Sequence, residues 1–81
     1  MNVVLRFLPE VARDAKHFEF HSSQKVTKRR DGSVVVRFRA GGLREICWHL
    51  FTWGNAVEIV SPPRLRTGYM KLLSSALKTL D

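Results

Sequence analysis

Serine, histidine and cysteine are the residue types in this sequence that could act as nucleophiles or bases. His21 is followed at once by Ser22 and Ser23, and a histidine beside a serine can activate its hydroxyl. Cys47 and His49 are two positions apart, so on a helix they point away from each other. Neither arrangement meets the geometric requirements of an activated nucleophile. The sequence therefore predicts a non-enzyme, and a small-molecule hydrolase that uses His21 and Ser23 is the last of the alternatives.

Metal and cofactor ligands are equally sparse. The three histidines lie on different predicted elements, and no Cys/His spacing matches a zinc site. The seven carboxylates show no pairing typical of acid–base catalysis. Cys47 falls on the buried stripe of a predicted helix, where a small core residue is expected. We therefore expect no metal and no cofactor.

The charge balance favours acidic partners. Fourteen Lys and Arg against seven Asp and Glu give a net charge of +7, which suits nucleic acid, an anionic ligand or an acidic protein surface. The 81 residues are enough for one domain, and no apolar run approaches the ~20 residues of a membrane helix. The single cysteine suits a reducing compartment. The sequence therefore predicts one cytoplasmic domain over residues 1–81, with no membrane contact.

Seven secondary-structure elements follow from the hydrophobic pattern. Strands are predicted from apolar alternation, and helices from apolar residues three and four positions apart. The pair Asp31-Gly32 predicts a tight hairpin turn, because glycine adopts positive φ without strain. The predicted strands cover 3–8, 25–29, 33–39 and 56–60, and the predicted helices cover 9–18, 43–53 and 64–80.

This order, β-α-β-β-α-β-α, predicts an α+β fold. Two β-α-β crossovers joined by a hairpin give the ferredoxin-like arrangement, a four-stranded antiparallel sheet with both crossover helices on one face. The last helix is added at the C-terminus. The strand residues predicted to face the helices are Val3, Leu5, Phe7, Val26, Val34, Val36, Phe38, Val57 and Ile59. The residues predicted on the opposite face are Arg6, Lys25, Thr27, Arg29, Val35, Arg37, Arg39 and Glu58.

Basic side chains dominate this second face of the predicted sheet. Its five cations are Arg6, Lys25, Arg29, Arg37 and Arg39. Such a row could follow a phosphate backbone or hold an anionic ligand. The face has no Phe, Tyr or Trp on which a nucleic-acid base could stack. A solvated face, or one covered by another domain, is an equally good interpretation.

Two helices carry candidate protein contacts. Trp48 lies off the apolar stripe of its helix, and a tryptophan that one small domain cannot bury often marks a protein interface. The last helix has a stripe of leucines that includes Leu73 and Leu77. We expect a homodimer or a domain contact through Trp48 or through this helix.

A series of short motifs resembles a known family. The motifs are Val4-Leu5-Arg6-Phe7, Pro9-Glu10-Val11-Ala12-Arg13, Phe20-His21-Ser22-Ser23-Gln24, Asp31-Gly32-Ser33, Gly42-Leu43-Arg44-Glu45-Ile46, Trp53-Gly54, and Val57-Glu58-Ile59 with Pro62, Leu65 and Arg66. Their order and spacing resemble the C-terminal extension, or WCX domain, that follows the WYL domain in bacterial WYL-type transcriptional regulators. One departure is Phe20, where the family often has tryptophan.

The resemblance implies a ferredoxin-like module that contributes to dimer contacts and to ligand sensing. Its implied partners are the WYL domain of the same full-length chain, a second copy, and effectors that include single-stranded nucleic acid. The chain has neither a helix-turn-helix nor the WYL motif, so we expect it to be a fragment of a larger regulator. An independent small basic nucleic-acid-binding protein is the alternative.

The loop with Phe20, His21, Ser23 and Gln24 has two interpretations. Its match to a family motif suggests a domain junction or the mouth of a ligand site. Alternatively, its side chains only satisfy the backbone amides of the loop.

Overall fold

One sheet of four strands organises the molecule, and its pairings are antiparallel. The computed structural model describes residues 1–80, except for the side chain of Leu43. The strands are β1 (Asn2–Phe7), β2 (Lys25–Lys28), β3 (Val34–Arg39) and β4 (Val57–Ser61), and the helices are α1 (Ala12–His17), α2 (Leu43–Phe51) and α3 (Pro63–Leu80). Short 3-10 turns at Pro9–Val11 and Gly54–Ala56 precede α1 and β4.

The strand order is β2-β3-β1-β4. Two β-α-β units joined by a hairpin produce this order, because each crossover connects two strands that have a third strand between them. The hairpin pairs β2 with β3, while β1 lies between β3 and β4. The predicted α+β, ferredoxin-like fold with an added C-terminal helix is confirmed.

Alternation along the strands builds the core. In the β1–β3 register Leu5 lies opposite Val36 and Phe7 opposite Val34, so these side chains share the face that the helices cover. Cys47 and Leu50 of α2 complete the packing. The buried residues of this cluster are Val3, Leu5, Phe7, Ala15, Val34, Val36, Phe38, Ala40, Ile46, Cys47, Leu50, Ile59 and Leu65. Fully burying a side chain of leucine or phenylalanine size contributes about 1.5–3 kcal/mol.

Two sheet residues depart from the predicted burial. Val26 shares a face with the core but is 38% exposed, because β2 is an edge strand that pairs only with β3. Val35, predicted on the open face, is only 3% exposed. It lies directly opposite Arg6 in the β1–β3 register. We attribute its burial to the side chain of Arg6, which extends past it toward the hairpin turn.

The hairpin turn lies at Asp31-Gly32, as the sequence predicts, but it is not a two-residue turn. The N–H of Arg29 donates to the carbonyl of Ser33 at 2.9 Å, and the N–H of Gly32 donates to the carbonyl of Arg29 at 3.1 Å. Gly32 has a φ of 89°, whereas no described non-glycine residue has positive φ. A two-residue turn of the expected type needs positive φ at both positions. The connection is therefore a three-residue loop that ends in a left-handed glycine.

Helix boundaries differ slightly from the prediction. The first helix opens as a 3-10 turn at Pro9 and ends at His17, because Phe18 is already extended. The second ends at Phe51.

Within residues 1–80, no helix has both the length and the apolar character needed to cross a bilayer.

Candidate functional site

Three cations lie exposed on the sheet face opposite the core. Lys25 of β2 is directly opposite Arg37 of β3, and Arg39 follows on the same face. Like charges directly opposite each other on antiparallel strands are destabilising. An anion placed between them would remove that repulsion. This part of the predicted basic face is present in the structure.

Arg6, the fourth predicted cation, is bonded within the chain. Its guanidinium donates to the carboxylate of Asp31 at 2.9 Å. Asp31 also accepts from the hydroxyl of Ser33 at 2.6 Å and from the N–H of Ser33 at 2.9 Å. The Ser33 hydroxyl, the Ser33 N–H and then Arg6 hold the pKa of Asp31 well below its usual value. Arg6 therefore stabilises the hairpin turn.

Arg29, the fifth predicted cation, is exposed but lies beyond the end of β2. The basic face consequently consists of Lys25, Arg37 and Arg39. Aromatic residues are absent from the described strand positions of this face, whose other members are Asn2, Val4, Arg6, Thr27, Val35, Glu58 and Ser61. Its chemistry suits phosphate groups and offers no stacking surface for bases.

Gln24 holds the loop between α1 and β2 in shape. Its side-chain oxygen accepts from the N–H of Phe20 at 2.7 Å, and its side-chain nitrogen donates to the carbonyl of Phe18 at 2.9 Å. The N–H of Gln24 donates in turn to the carbonyl of His21 at 3.1 Å. These bonds close the loop on itself, as the amide-satisfying interpretation expects.

Phe20 anchors the same loop to the core. Its ring stacks on Phe38 with centroids 5.8 Å apart, and it contacts Phe7 at 5.4 Å and Phe18 at 4.5 Å. Trp53 packs against the same cluster, with its ring centroid 4.9 Å from that of Phe7. Aromatic packing of this kind contributes beyond buried area alone. Phe20 is therefore a packing residue, in a position that orients the His21–Ser23 segment.

His21 and Ser23 form a hydrogen-bonded pair. The Ser23 oxygen lies 2.8 Å from His21 Nδ1, and the Ser23 N–H donates to the same nitrogen at 3.0 Å. The Ser23 oxygen accepts from the N–H of Arg39 at 3.0 Å. The pair thus ties the loop to the end of β3.

The hydrogen bond between His21 and Ser23 is a feature of a catalytic dyad, but the pair lacks the burial and the orienting carboxylate of one. Both side chains are exposed, and no carboxylate orients the His21 ring among the hydrogen bonds of residues 1–80.

Burial raises the pKa of the Cys47 thiol, which keeps the other candidate nucleophile protonated. Over the described residues, no three His, Cys, Asp or Glu side chains are grouped as metal ligands.

Trp48 is 66% exposed on the outer side of α2. Its ring meets that of Phe51 edge-on at 6.2 Å, and Phe51 lies 5.5 Å from the ring of Tyr69. This aromatic row links α2 to α3. It leaves the indole of Trp48 available at the surface.

Only the first half of α3 packs on the domain. Leu65 is buried and Leu72 is half-buried, whereas four apolar side chains are exposed. They are Met70 (63%), Leu73 (41%), Leu77 (62%) and Leu80 (84%). We call these four residues the α3 stripe. Their spacing of three, four and three residues is that of helices that pair along a seam. Sequence reasoning found the leucines and missed Met70, which fits the same spacing.

Arg66 covers the outer edge of β4. Its guanidinium donates to the carbonyl of Ile59 at 2.8 Å and to that of Val60 at 3.2 Å. These are edge-strand groups that could otherwise pair with another strand.

The comparisons with known proteins give a family match. None of the curated proteins compared with the chain matches it. The family model of the WCX domain matches residues 1–77. That match spans nearly the whole chain and every strand of the sheet. The chain therefore belongs to the WCX domain family.

Proposed function

We propose that this chain is the non-catalytic C-terminal regulatory and oligomerisation module of a WYL-type bacterial transcriptional regulator. Its membership in the WCX family supports the regulatory context. The observation that carries the proposal is the α3 stripe, whose side chains are left uncovered by the chain's own core. An apolar seam at helical spacing is the surface that a second helix would cover.

The proposed partners are a second copy of the chain and the WYL domain of the same full-length protein. The α3 stripe serves the second copy, since two identical seams can pair about a two-fold axis. Trp48 lies on a different helix and serves as an anchor for the WYL domain, because an exposed tryptophan in an apolar setting often dominates a contact. The module works in the cytoplasm, without a cofactor, and assists in sensing an effector such as single-stranded nucleic acid.

A second candidate is an independent small nucleic-acid-binding protein. The exposed cations Lys25, Arg37 and Arg39 on one sheet face favour it. Without aromatic residues on that face, such a protein would bind the phosphates of a strand with little sequence preference.

Amide hydrogen exchange at two protein concentrations tests the main proposal. If the α3 stripe pairs with a second copy, the amides of residues 70–80 exchange more slowly as the protein concentration rises, because pairing suppresses opening of the helix end. The amides of α1, another exposed helix, serve as the control and should not respond. Exchange of residues 70–80 that is independent of concentration would contradict self-association. The nucleic-acid candidate predicts no concentration effect but slower exchange in β2 and β3 when oligonucleotide is added.

A further inference from the structure

A cleft lies between α1 and the β2–β3 hairpin, on the side of the sheet opposite the basic face. Its volume is about 450 Å³. Arg13, Lys16 and His17 line it from α1, and Lys28 lines it from the hairpin. The remaining lining residues are small or apolar: Pro9, Ala12, Gly32 and Val34.

The local structure explains why these four side chains converge. On a helix, positions three and four apart share a face, so Arg13, Lys16 and His17 point the same way. Lys28 lies opposite Val34 in the β2–β3 register, which places it on the helix-covered face of the sheet. Among the described strand residues it is the only charged one on that face.

The cleft holds positive charge with nothing to balance it. Its lining includes no carboxylate. Within residues 1–80, Arg13, Lys16 and Lys28 form no ion pair at 4.0 Å or less. The nearby Asp31 is committed to Arg6 and Ser33. Cations that line one cleft repel one another, and a bound anion would offset that repulsion.

Helix stabilisation accounts for only part of this cluster. Lys16 and His17 lie in the last turn of α1, where positive charge interacts favourably with the helix dipole. Arg13 lies near the start of that helix, where positive charge is unfavourable. Lys28 belongs to a strand, so no dipole argument applies to it. Helix stabilisation therefore explains neither Arg13 nor Lys28.

We infer that this cleft binds a small phosphate-bearing anion, such as a nucleotide or an inorganic polyphosphate. Three permanent cations match the two or more negative charges of a phosphate better than the single charge of a carboxylate. The guanidinium of Arg13 can meet two phosphate oxygens at once, and the ammonium groups of Lys16 and Lys28 act as point charges. The volume lies in the range of small-ligand sites, about 300–1,000 Å³.

This site is separate from the basic face and independent of the proposed regulatory function. The sheet lies between them, because Lys28 is on the helix-covered side and Lys25 and Arg37 are on the other. The two sites can therefore be removed one at a time with the same change of net charge.

Isothermal titration calorimetry of the 81-residue chain with inorganic pyrophosphate, at fixed ionic strength, tests the inference. The variant Arg13→Gln/Lys28→Gln removes two cleft cations, Lys25→Gln/Arg37→Gln removes two from the basic face, and the control Lys71→Gln/Lys78→Gln removes two exposed cations of α3. We expect saturable binding by the wild type and by the α3 control. The cleft variant should bind at least about tenfold more weakly, since even one hydrogen bond to a charged group contributes that much.

Three outcomes would overturn the inference. One is the absence of saturable pyrophosphate binding by the wild type. Another is an equal loss in the cleft variant and in the α3 control, which would indicate diffuse charge attraction alone. The third is an affinity that is lost only in the basic-face variant. Titrations with AMP and with a twelve-residue oligothymidylate identify the source of the phosphate. AMP binding that depends on Arg13 and Lys28 would identify a nucleotide, and cleft binding of pyrophosphate without AMP would identify an inorganic polyphosphate. All four proteins must first give the same circular dichroism spectrum, and Lys28→Gln alone serves if Arg13→Gln/Lys28→Gln does not fold.

Discussion

Arg6 and Asp31 meet at 2.9 Å although they are 25 positions apart in the sequence. The contact joins the central strand β1 to the hairpin turn. Arg6 also lies directly opposite Val35 in the β1–β3 register, and Val35 is buried on a face that the sequence pattern assigns to solvent. This ion pair joins the hairpin turn to β1, and it removes Arg6 from the cations of the basic face.

Replacing Asp31 with Asn should destabilise the protein at neutral pH. The pKa of Asp31 is lowered chiefly by Ser33 and then by Arg6, so its stabilisation is fully present above the unfolded-state pKa of about 3.9. It is lost as the pH falls below that value toward the lower pKa of the folded protein. Thermal unfolding from neutral to acid pH should therefore show a gap between wild type and variant that narrows below about pH 4.

The matched control for this experiment is Glu19→Gln. Glu19 is exposed and forms no ion pair over residues 1–80, so its variant should follow the wild type at each pH. A gap between wild type and Asp31→Asn that stays constant from neutral to acid pH would show that Asp31 contributes by turn shape rather than by charge.

The fold is largely readable from the sequence because it depends on local periodicity. Parity along β1 and β3 predicts which residues face the helices, and the residues Asp31-Gly32 locate the turn. Val26 departs from this pattern because parity carries no information on which strand lies at the sheet edge.

The sites are less readable because they depend on contacts between distant segments. Arg6 looks like one more surface cation until the turn brings Asp31 to it. Neither Lys28 nor Arg13 alone predicts a binding site in the sequence. They become neighbours because α1 packs against the hairpin. The apolar pattern predicts the leucines of the α3 stripe. That pattern alone does not divide the helix into a packed half and an exposed half.

Replacing Gln24 with Ala should loosen the loop between α1 and β2. The change removes two side-chain hydrogen bonds, to Phe20 and Phe18, in a partly buried position. We expect the free energy of unfolding to fall by about 1–3 kcal/mol, measured by urea denaturation. Ser22→Ala is the control, since Ser22 forms no side-chain hydrogen bond within the described residues. Equal free energies of unfolding for Gln24→Ala and wild type would contradict the proposed role of Gln24 in holding the loop.

Ser23 should prove structural and without catalytic activity. The variant Ser23→Ala loses the bonds to His21 and to the N–H of Arg39, and its free energy of unfolding should fall by about 0.5–1.5 kcal/mol. Hydrolysis of p-nitrophenyl acetate should not exceed the buffer rate for either protein. Ester hydrolysis by the wild type that both Ser23→Ala and His21→Ala abolish would reinstate the enzyme interpretation.

Binding of single-stranded DNA, where it occurs, should depend on the basic face and on salt. Replacing Arg37 and Arg39 with Gln should lower the slope of log affinity against log salt by about 1.4, or about 0.7 per phosphate contact. Fluorescence anisotropy with a labelled oligonucleotide measures it. The control Lys71→Gln/Lys78→Gln carries the same charge change on α3 and should leave the slope near that of wild type. Equal effects of both pairs would mean that no defined face is used.

Sedimentation equilibrium tests the central proposal most directly. The wild-type chain, examined from about 10 to about 100 micromolar, where weak interfaces dissociate, should have an average mass that rises above the monomer mass of 9.3 kDa. Leu73→Gln/Leu77→Gln should weaken the dimer at least about tenfold, because burying each leucine contributes about 1.5–3 kcal/mol. Lys71→Gln/Lys78→Gln, which leaves all four residues of the α3 stripe unchanged, should behave as wild type. A wild-type chain that stays at the monomer mass throughout, or a dimer unaffected by the leucine changes, would contradict the α3 stripe as the self-association surface.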